Sequence, residues 1–397
     1  MHKKFAAIPL FLALVLSCSK EPADNTPVVE FNMENPEVTN YIDYVYAHPY
    51  TVSDFTATYI GDYYQKPGTD GYRGDCPASF KVSWDAEPAA KSYTVVLSEN
   101  RNLSNPERTV SLAANATEYS VTNLIPGHRY YCSVSANIDG GKSTEVYLKK
   151  INVKGRRRMI AMESTGNFRD LGGLVTESGK HVKYGQIFRG ARCSAQGVTI
   201  SDSDKAELRR IGIKADLDLR QDTAEKLGTE VYKNRKSPLG DDVDWKLFPK
   251  ANESYFGLLQ ANTQYIEAMQ WLINELKAGK PVYFHCKTGA DRTGTLGWLI
   301  ETLLGVTEVE KSIDFELTSF FYENWDGASY AFRSRNVAKN DNTKYDWGAM
   351  YKVINGNYAG KTISDKVCDY FKTGVPPKYE VYIPKEDIEW FRKYMLE

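Results

Sequence analysis

The chain has 397 residues, of which 42% are hydrophobic and 25% are charged, and its formal net charge is −1 at pH 7. This length exceeds that of a usual single domain and predicts two domains, with enough apolar residues for ordinary hydrophobic cores. The balanced charge provides no strongly basic surface, so we expect no nucleic-acid partner.

The N-terminus has the features of a targeting segment. Two lysines precede an apolar run at residues 5–16, which is too short to span a bilayer comfortably. The motif Val15-Leu16-Ser17-Cys18 resembles a bacterial lipoprotein signal. The resemblance implies that residues 1–17 are removed as a signal peptide. A lipid on Cys18 would then anchor the protein to a bacterial cell membrane, outside the cytoplasm and either periplasmic or surface-exposed. An ordinary secretory signal is the alternative.

An all-β domain is predicted after this segment. Residues 18–30 are polar and contain proline, which predicts a flexible tether. Residues 31–153 contain short runs of alternating apolar residues, such as Phe80-Lys81-Val82-Ser83-Trp84, separated by turn signals. This pattern is typical of a β-sandwich. Trp84, Tyr93 and residues 124–130 resemble an immunoglobulin-like fibronectin type III domain, in which Tyr130 would be the corner tyrosine.

Three further features of the N-terminal half lead to structural predictions. Tyrosines are frequent in residues 41–75, and we expect them to be strand residues of the sandwich core rather than a recognition surface. Cys76 and Cys132 both lie in this half, where a disulfide is allowed but not required. The segment Gly155-Arg156-Arg157-Arg158 is predicted to mark the domain junction, with its charges in solvent.

The C-terminal half alternates predicted strands and helices. The pattern predicts strands at residues 187–189, 215–219 and 281–285, and helices at residues 202–211 and 263–277, the first with Ser201 as its N-cap. Such alternation predicts an α/β fold with a parallel-rich central sheet and helices on both faces. Ligands of such sheets bind beyond the carboxyl ends of the strands.

One loop follows such a strand end and is suited to bind an anion. The segment is His285-Cys286-Lys287-Thr288-Gly289-Ala290-Asp291-Arg292-Thr293-Gly294, and apolar residues at helical spacing follow it. Backbone N–H groups between a strand and the first turn of a helix converge on one point, where the helix dipole also favours negative charge. The sequence therefore predicts a phosphate site in this loop.

The residue types of the loop have separate chemical uses. A thiol at a helix N-terminus beside an arginine has a lowered pKa, so Cys286 is expected to be a thiolate at neutral pH. Arg292 offers a planar fork of donors to two phosphoryl oxygens. Gly289 allows close backbone approach, and Gly294 allows the helix to begin without a side-chain clash. Thr293 is placed to donate to the sulfur.

The string His-Cys-x5-Arg-Thr-Gly resembles the phosphate loop of the protein tyrosine phosphatase superfamily. Lys287 and Asp291 resemble its bacterial dual-specificity-like branch of tyrosine and phosphoinositide phosphatases, and so does the segment at residues 166–173, Gly-Asn-Phe-Arg-Asp-Leu-Gly-Gly. The resemblance covers about residues 160–397. It implies a metal-independent phosphomonoesterase without a cofactor, with a nucleophilic cysteine and a phosphocysteine intermediate. The phosphate-binding positions would be Lys287, Thr288, Gly289, Ala290, Thr293 and Gly294.

The general acid is left open between two aspartates. Such a group protonates the leaving oxygen and is worth about 10²–10⁴ in rate. Asp291 lies inside the loop, whereas Asp222 follows a predicted strand in the segment Asp218-Leu219-Arg220-Gln221-Asp222-Thr223-Ala224-Glu225. This segment also resembles the bacterial branch, and we expect its Arg220 and Glu225 to form a structural ion pair.

The substrate class is also left open. Phosphotyrosine or phosphoserine protein, phosphoinositide lipid and soluble inositol phosphate all fit the loop, and Lys287 favours polyanions. A phosphate-recognising surface protein without turnover is the alternative from another class, although the intact Cys286, Arg292 and Thr293 argue against it. Residues 320–366 suggest a surface insertion or a lid, and residues 384–396 predict a closing amphipathic helix.

Overall fold

The computed structural model describes residues 24–47, 74–249, 262–321, 347–376 and 379–397. The N-terminal part is rich in strands, which form one five-stranded sheet in the order β1-β7-β6-β3-β4 and one two-stranded sheet, β2-β5. Strand β1 runs parallel to β7, and the other pairs are antiparallel. The bounds are β1 Val28–Asn32, β2 Phe80–Ser83, β3 Ser92–Ser98, β4 Arg108–Ala113, β5 Glu118–Val121, β6 Arg129–Ile138 and β7 Lys142–Lys154.

These two sheets enclose a common core, as the alternation of apolar residues predicted. In β2, Phe80 and Val82 point into the core while the residues between them are exposed. Trp84 packs against the buried ring of Tyr93, with 5.4 Å between the ring centroids. Tyr130 is fully buried, and its hydroxyl accepts a hydrogen bond of 3.4 Å from the backbone N–H of Ile125. This bond joins the start of β6 to the turn that precedes it.

Regular secondary structure occurs within the predicted tether. Strand β1 starts at Val28, inside residues 18–30, which we expected to be a flexible tether. Asp24 forms an ion pair of 2.7 Å with Lys150 of β7 and accepts a hydrogen bond from Tyr131. The Lys150 ammonium and the Tyr131 hydroxyl thus hold Asp24 against the sheet, and the predicted tether is wrong for these residues.

The tyrosine-rich stretch begins with a helix rather than a strand. Helix α1, Pro36–Ala47, carries Tyr41, Tyr44 and Tyr46. Tyr41 is fully buried and packs against Phe320 of the C-terminal part, with 5.5 Å between ring centroids. The expectation of strand tyrosines in the sandwich core is therefore wrong for these three. The remaining tyrosines, Tyr50, Tyr59, Tyr63, Tyr64 and Tyr72, lie outside the described residues.

Two of the three junction arginines are buried instead of solvated. Arg157 pairs with Glu310 at 2.6 Å, and both side chains are 2% exposed. Arg158 pairs with Asp170 at 3.1 Å and also donates to the backbone oxygen of Asn123. Burial of these charges is possible because each has an ionic partner. Neither Cys76 nor Cys132 forms a disulfide.

The C-terminal part is α/β. Its sheet has the order β13-β12-β14-β9-β8, in which only β8 is antiparallel to its neighbour, as the predicted parallel-rich sheet requires. The strands are β8 Arg169–Asp170, β9 Ile187–Gly190, β10 Ser194–Ala195, β11 Val198–Thr199, β12 Ala215–Asp218, β13 Asp244–Leu247 and β14 Val282–His285. The helices are α2 Asp202–Arg210, α3 Ala224–Leu227, α4 Thr229–Asn234, α5 Gln264–Lys277, α6 Asp291–Leu304, α7 Glu308–Leu317, α8 Trp347–Asn357, α9 Ile363–Thr373 and α10 Lys385–Met395.

Alternate residues of the central strand β14 face two different cores. Val282 and Phe284 pack with residues of α5, α6, α9 and α10, whereas Tyr283 packs on the other face with Phe168 and with Leu208 of α2. The predicted strands, the helix α2 with its Ser201 cap, and the helix α5 are all confirmed within one or two residues. Helices on both faces leave β14 fully buried, so its carboxyl end is positioned by the core.

The end of the chain completes this core. The predicted closing helix is confirmed as α10, with Ile388, Phe391 and Met395 buried. The predicted surface insertion at residues 320–366 is wrong from residue 347 onward, because α8 buries Met350 and Ile354 in the main core. The preceding residues 322–346, including Trp325, Arg333, Arg335, Lys339 and Lys344, lie outside the described residues. None of the helices that the structure describes is long and apolar enough to cross a bilayer.

Candidate active site

The loop at residues 286–290 lies at the carboxyl end of the central parallel strand. Strand β14 ends at His285 and α6 begins at Asp291. In register, His285 pairs with Asp218 of β12 on one side and with Gly190 of β9 on the other. Chain segments leaving both neighbouring strands therefore flank the loop. This is the edge of an α/β sheet where ligands bind.

Residues outside the loop donate hydrogen bonds to three of its carbonyl oxygens. The oxygen of Lys287 accepts from the backbone N–H of Arg192 at 3.1 Å, and that of Thr288 accepts from Nδ2 of Asn167 at 2.9 Å. The oxygen of Gly289 accepts from Nη2 of Arg189 at 3.0 Å. A trans peptide group directs its C=O and the following N–H in opposite directions. The N–H groups that follow these three carbonyls are therefore directed into the loop, where they can bind an oxyanion.

Gly289 is required by the close approach of the neighbouring strand. Its φ is +72°, and a Cβ at this position would lie 2.4 Å from the oxygen of Gly190 and 2.9 Å from Nδ2 of Asn167. Only glycine combines this backbone conformation with this contact. The sequence analysis assigned Gly289 to close backbone approach, and the neighbour it approaches is the end of β9.

The electrostatics of the loop favour the ionised form of Cys286. The side chain is buried, and burial by itself would raise the pKa of the thiol. The Arg292 guanidinium and the hydroxyl and backbone N–H groups of Thr293 outweigh burial, so the pKa lies below its ordinary value. Asp291 acts weakly in the opposite direction. A thiol with these neighbours loses its proton more readily than a free cysteine.

Arg292 is oriented by the neighbouring strand of the sheet. It lies in the first turn of α6 and is 7% exposed. Its Nη1 donates to the backbone oxygen of Leu219, directly after β12, at 2.8 Å. One hydrogen bond to a fixed carbonyl restricts the rotation of the guanidinium. The arginine is thereby oriented beside the sulfur that it helps to ionise.

His285 anchors the end of the central strand. Its Nε2 lies 2.9 Å from a carboxylate oxygen of Asp216, whose other oxygen accepts from the hydroxyl of Ser237 at 2.6 Å. Burial lowers the pKa of His285, but the Asp218 and Asp216 carboxylates raise it more, so the net change is upward. The ring also stacks on Tyr283, with 5.1 Å between centroids. These contacts fix the position of His285, the residue that precedes Cys286.

A buried ionic network supports the loop from the side of β9. Asp314 of α7 pairs with Arg169 at 2.6 Å and with Arg189 at 2.5 Å, and all three side chains are at most 2% exposed. Burial would raise the pKa of Asp314, but the two arginines keep it below its usual range. Burial and the nearby Asp314 raise the pKa of Glu301 well above its usual value. The network delivers one arginine to Gly289 and the other to Asn167.

The segment at residues 166–173 therefore supports the loop. Asn167 has a φ of +52°, a conformation that few residues other than glycine adopt. Its amide reaches the loop, and Arg169 reaches Asp314. The sequence analysis assigned this segment to a family resemblance without giving its residues a role. It missed Arg189 and Asp314 entirely, because their partners are remote in sequence.

The two candidate acids occupy different positions. Asp291 is the first residue of α6 and is partly exposed. Asp222 is exposed and pairs with Arg235 at 2.6 Å, on the segment that follows the backbone contact of Leu219 with Arg292. Both aspartates lie on segments that flank the loop.

The expected ion pair between Arg220 and Glu225 is wrong. Arg220 pairs with Asp218 at 2.6 Å, with both side chains at most 2% exposed, and it also donates to the backbone oxygens of Ser194 and Lys226. Glu225 is exposed and pairs with Lys226. Arg220 thus ties three segments together and has a structural role, as we expected, but with a different partner.

The loop and the first turn of α6 contain all of the predicted phosphate-binding residues. Lys287 is partly exposed at the rim, while Thr288, Gly289, Ala290, Thr293 and Gly294 are buried. Cys18, the predicted lipidation site, lies outside the described residues. Among the residues that the structure describes, no cluster of three or more histidines, cysteines or carboxylates is arranged to hold a metal ion.

Comparison with known proteins places this site in a family. The family model described as "Tyrosine phosphatase family" matches residues 160–364. A protein of Cupriavidus necator, described as "Putative tyrosine-protein phosphatase", is 27% identical in an alignment of 179 residues that covers 40% of this chain and 61% of that protein. The chain thus spans less than two thirds of the length of this relative.

A comparison of structures also finds a neighbour. An Fn3-like protein from Clostridium thermocellum has 23% sequence identity and covers 22% of this chain and 83% of that chain, with a TM-score of 0.17. The family match is the finding that bears on the site, because residues 160–364 are more than half of the 397 residues and contain the whole loop. The chain belongs to the tyrosine phosphatase family.

Proposed function

We propose that the protein is a metal-independent phosphomonoesterase that uses Cys286 as its nucleophile. The observation that carries this proposal is the position of a buried thiol beside Arg292 and Thr293, which lower its pKa, in a loop whose carbonyl oxygens accept hydrogen bonds from residues outside it. A buried cysteine without such neighbours has a raised pKa, as Cys193 has, where burial raises it beyond the usual range of thiols. The contrast within one chain supports a chemical role for Cys286.

The proposed reaction has two steps. The thiolate attacks phosphorus in line, the S–P bond forms, and the bond to the leaving oxygen breaks as an aspartate protonates that oxygen. Water then attacks the phosphocysteine, which releases inorganic phosphate and regenerates the thiolate. Arg292 and the loop N–H groups stabilise the equatorial oxygens in both transition states. The Thr293 hydroxyl stabilises the sulfur as it leaves.

The substrate proposal keeps protein and lipid substrates first. The family match supports phosphotyrosine on protein. The resemblance to the bacterial dual-specificity-like branch adds phosphoserine on protein and phosphoinositide lipid. Lys287, partly exposed directly beside Cys286, adds positive charge at the rim. That charge favours substrates with several phosphates and makes inositol polyphosphate the second candidate. A panel of phosphotyrosine peptide, phosphoinositide vesicles and phytate, compared by kcat/KM on one preparation, separates the three classes.

The test of the mechanism is Cys286→Ser. The serine hydroxyl is far less acidic than a thiol, so hydrolysis of p-nitrophenyl phosphate should fall by about 10³-fold or more. Binding of tungstate, a phosphate analogue, should remain within about threefold of wild type, because the loop N–H groups and Arg292 are unchanged. Cys193→Ser is the matched control and should retain activity. Turnover by Cys286→Ser near the wild-type rate would refute covalent catalysis.

We further propose that the catalytic unit is held outside the cytoplasm by a lipid on Cys18 and carries a fibronectin type III-like module at its N-terminus. The lipoprotein-like motif before Cys18 and the position of Tyr130 support these two statements. Cys18→Ala should release the protein into the soluble fraction of cells, because an acyl chain supplies the membrane affinity. Retention of the variant on membranes would contradict acylation.

A further inference from the structure

A short segment that precedes the phosphatase region contacts Asn167, one of the residues that support the catalytic loop. Asp75 lies outside the family match, which begins at residue 160, yet it is 1% exposed and contacts Asn167. We propose that Asp75 is a positioning residue for the phosphate loop, so that the N-terminal segment is part of the catalytic unit. This inference rests on the proposed function, since it takes the loop around Cys286 as the site of phosphoryl transfer.

Helix α1 brings the N-terminal segment onto the phosphatase core. Its buried face consists of Val38, Tyr41, Ile42 and Val45, and these residues form one apolar cluster with Met159 and with Ile313, Leu317 and Phe320 at the end of α7 and beyond. Burial of four such apolar side chains stabilises this contact. Helix α1 therefore belongs to the phosphatase part of the fold.

The segment around Asp75 is tied to the start of α1. The backbone N–H of Ala78 donates to the oxygen of Met33 at 2.9 Å, and Nδ2 of Asn35 donates to the oxygen of Cys76 at 3.3 Å. Each bond joins a residue just before α1 to a residue just after Asp75. They hold residues 75–78 against the same region that α1 contacts.

The Asp75 carboxylate fits a site built for close approach. Its Oδ2 accepts the backbone N–H of Asn167 at 2.8 Å. A Cβ on Gly166 would lie 2.6 Å from this oxygen and 2.4 Å from the ring of Phe321. No side chain fits between them, so glycine at residue 166 allows the carboxylate and the ring to meet the backbone. The first glycine of the segment at residues 166–173 thus has a specific partner.

The contact is one residue away from the catalytic loop. Asn167 is held at φ +52°, which costs free energy for a residue with a side chain. A charge-assisted bond from Asp75 to its N–H opposes that cost. The Asn167 side chain then donates to the oxygen of Thr288 at 2.9 Å and accepts from Arg169 at 2.6 Å. The direction of the Thr288 carbonyl sets the direction of the next N–H in the loop.

The test compares two buried carboxylates of the N-terminal segment in the full chain. Asp75→Ala should lower kcat/KM for p-nitrophenyl phosphate and weaken tungstate binding by about tenfold each. This loss is smaller than the about 10²–10³ of a deleted donor, because the loop N–H is displaced and not removed. Asp75→Asn, which keeps an acceptor oxygen, should recover most of the activity. Glu34→Ala is the matched control.

Like Asp75, Glu34 is a buried carboxylate that accepts backbone N–H groups, but these N–H groups do not belong to the residues that support the loop. It is 2% exposed and accepts the backbone N–H groups of Arg156 and Arg157 at 2.5 and 2.7 Å. Its removal should lower the melting temperature, as that of Asp75 does, while kcat/KM stays within about twofold of wild type. If Asp75→Ala does not fold, Asp75→Ser, whose shorter side chain cannot place an oxygen where the carboxylate lies, is compared with Glu34→Ser on the same readouts.

Two results would overturn the proposal. One is wild-type kcat/KM and tungstate affinity in the variant that removes the acceptor, Asp75→Ala or Asp75→Ser. The other is an equal loss of both in the Glu34 variant, which would mean general destabilisation. Neither result bears on the nucleophile, which Cys286→Ser tests separately. Tungstate binding also reports on the loop without any covalent step, so failure of this inference and failure of the proposed function remain distinguishable.

Discussion

Replacement of Gly289 by alanine should disable the loop through two effects that can be separated. The first is conformational, because φ at Gly289 is +72° and a left-handed residue with a side chain costs about 1–2 kcal/mol. The second is steric: the new Cβ would lie 2.4 Å from the oxygen and 2.6 Å from the carbon of Gly190. Both atoms are backbone at the end of β9, so no side-chain rotation relieves the contact.

The steric effect determines the expected size of the loss. Reaching an ordinary van der Waals separation requires the loop and β9 to move apart by about 1 Å. A displacement of about 1 Å at a catalytic group can cost about 10²-fold in rate. We therefore expect kcat/KM of Gly289→Ala for p-nitrophenyl phosphate to fall by about 10²-fold or more, with a lower melting temperature.

Gly279 provides the control for backbone strain alone. It lies directly after α5 at φ +74°, and a Cβ there meets nothing within 4 Å. Gly279→Ala should lose about 1–2 kcal/mol of stability and keep its activity. Steady-state kinetics and thermal denaturation of both variants check the prediction. Equal activity of the two variants would refute the assigned role of the contact between Gly289 and β9.

Three more predictions concern the loop and its acid. Arg292→Lys should lower kcat by about 10²-fold or more, because a point charge cannot bind two oxygens as a planar fork does; a loss below about tenfold in steady-state assays would contradict this. Thr293→Val should raise the pKa of Cys286, since one hydrogen bond that lowers it is lost. The acidic limb of the profile of kcat/KM against pH should then move to higher pH, and an unmoved limb would exclude this hydrogen bond. If Asp291 is the general acid, Asp291→Asn should cleave a strongly acidic nitrophenyl phosphate almost normally and lose about 10²-fold or more on an alkyl phosphate. The same selective pattern in Asp222→Asn, with equal losses on both substrates for Asp291→Asn, would assign the role to Asp222.

Local patterns were sufficient for the elements around the loop. The apolar run before Cys286, the Ser201 cap and the spacing of Ile388, Phe391 and Met395 each depend on neighbours within a few residues. Strand, cap and amphipathic helix are short-range signals, and the structure follows them. The same kind of signal was present at α1, where Val38, Tyr41, Ile42 and Val45 have helical spacing. The strand propensity of tyrosine led to the wrong choice there, because packing against α7 overrides propensity.

Charged residues were predicted less well than apolar ones. Arg157 and Arg158 form a surface-like cluster in sequence, but each is neutralised by a carboxylate on another segment. Arg220 was given the wrong partner for the same reason, since Asp218 precedes it on a strand while Glu225 is in solvent. Burial decides which charges must pair, and burial is a property of the assembled fold.

The sequence by itself determined the chemistry of this protein. A cysteine, an arginine six residues further on and a glycine at a strand-to-helix junction predict an anion site with an ionised thiol, because all of these groups lie in one short segment of chain. Only the tertiary structure decided what holds that site in place. Asn167 reaches the loop across 121 residues, Arg169 meets Asp314 across 145, and Asp75 meets Asn167 across 92. No periodicity encodes such pairs, because closing long loops costs entropy that only the packed core repays.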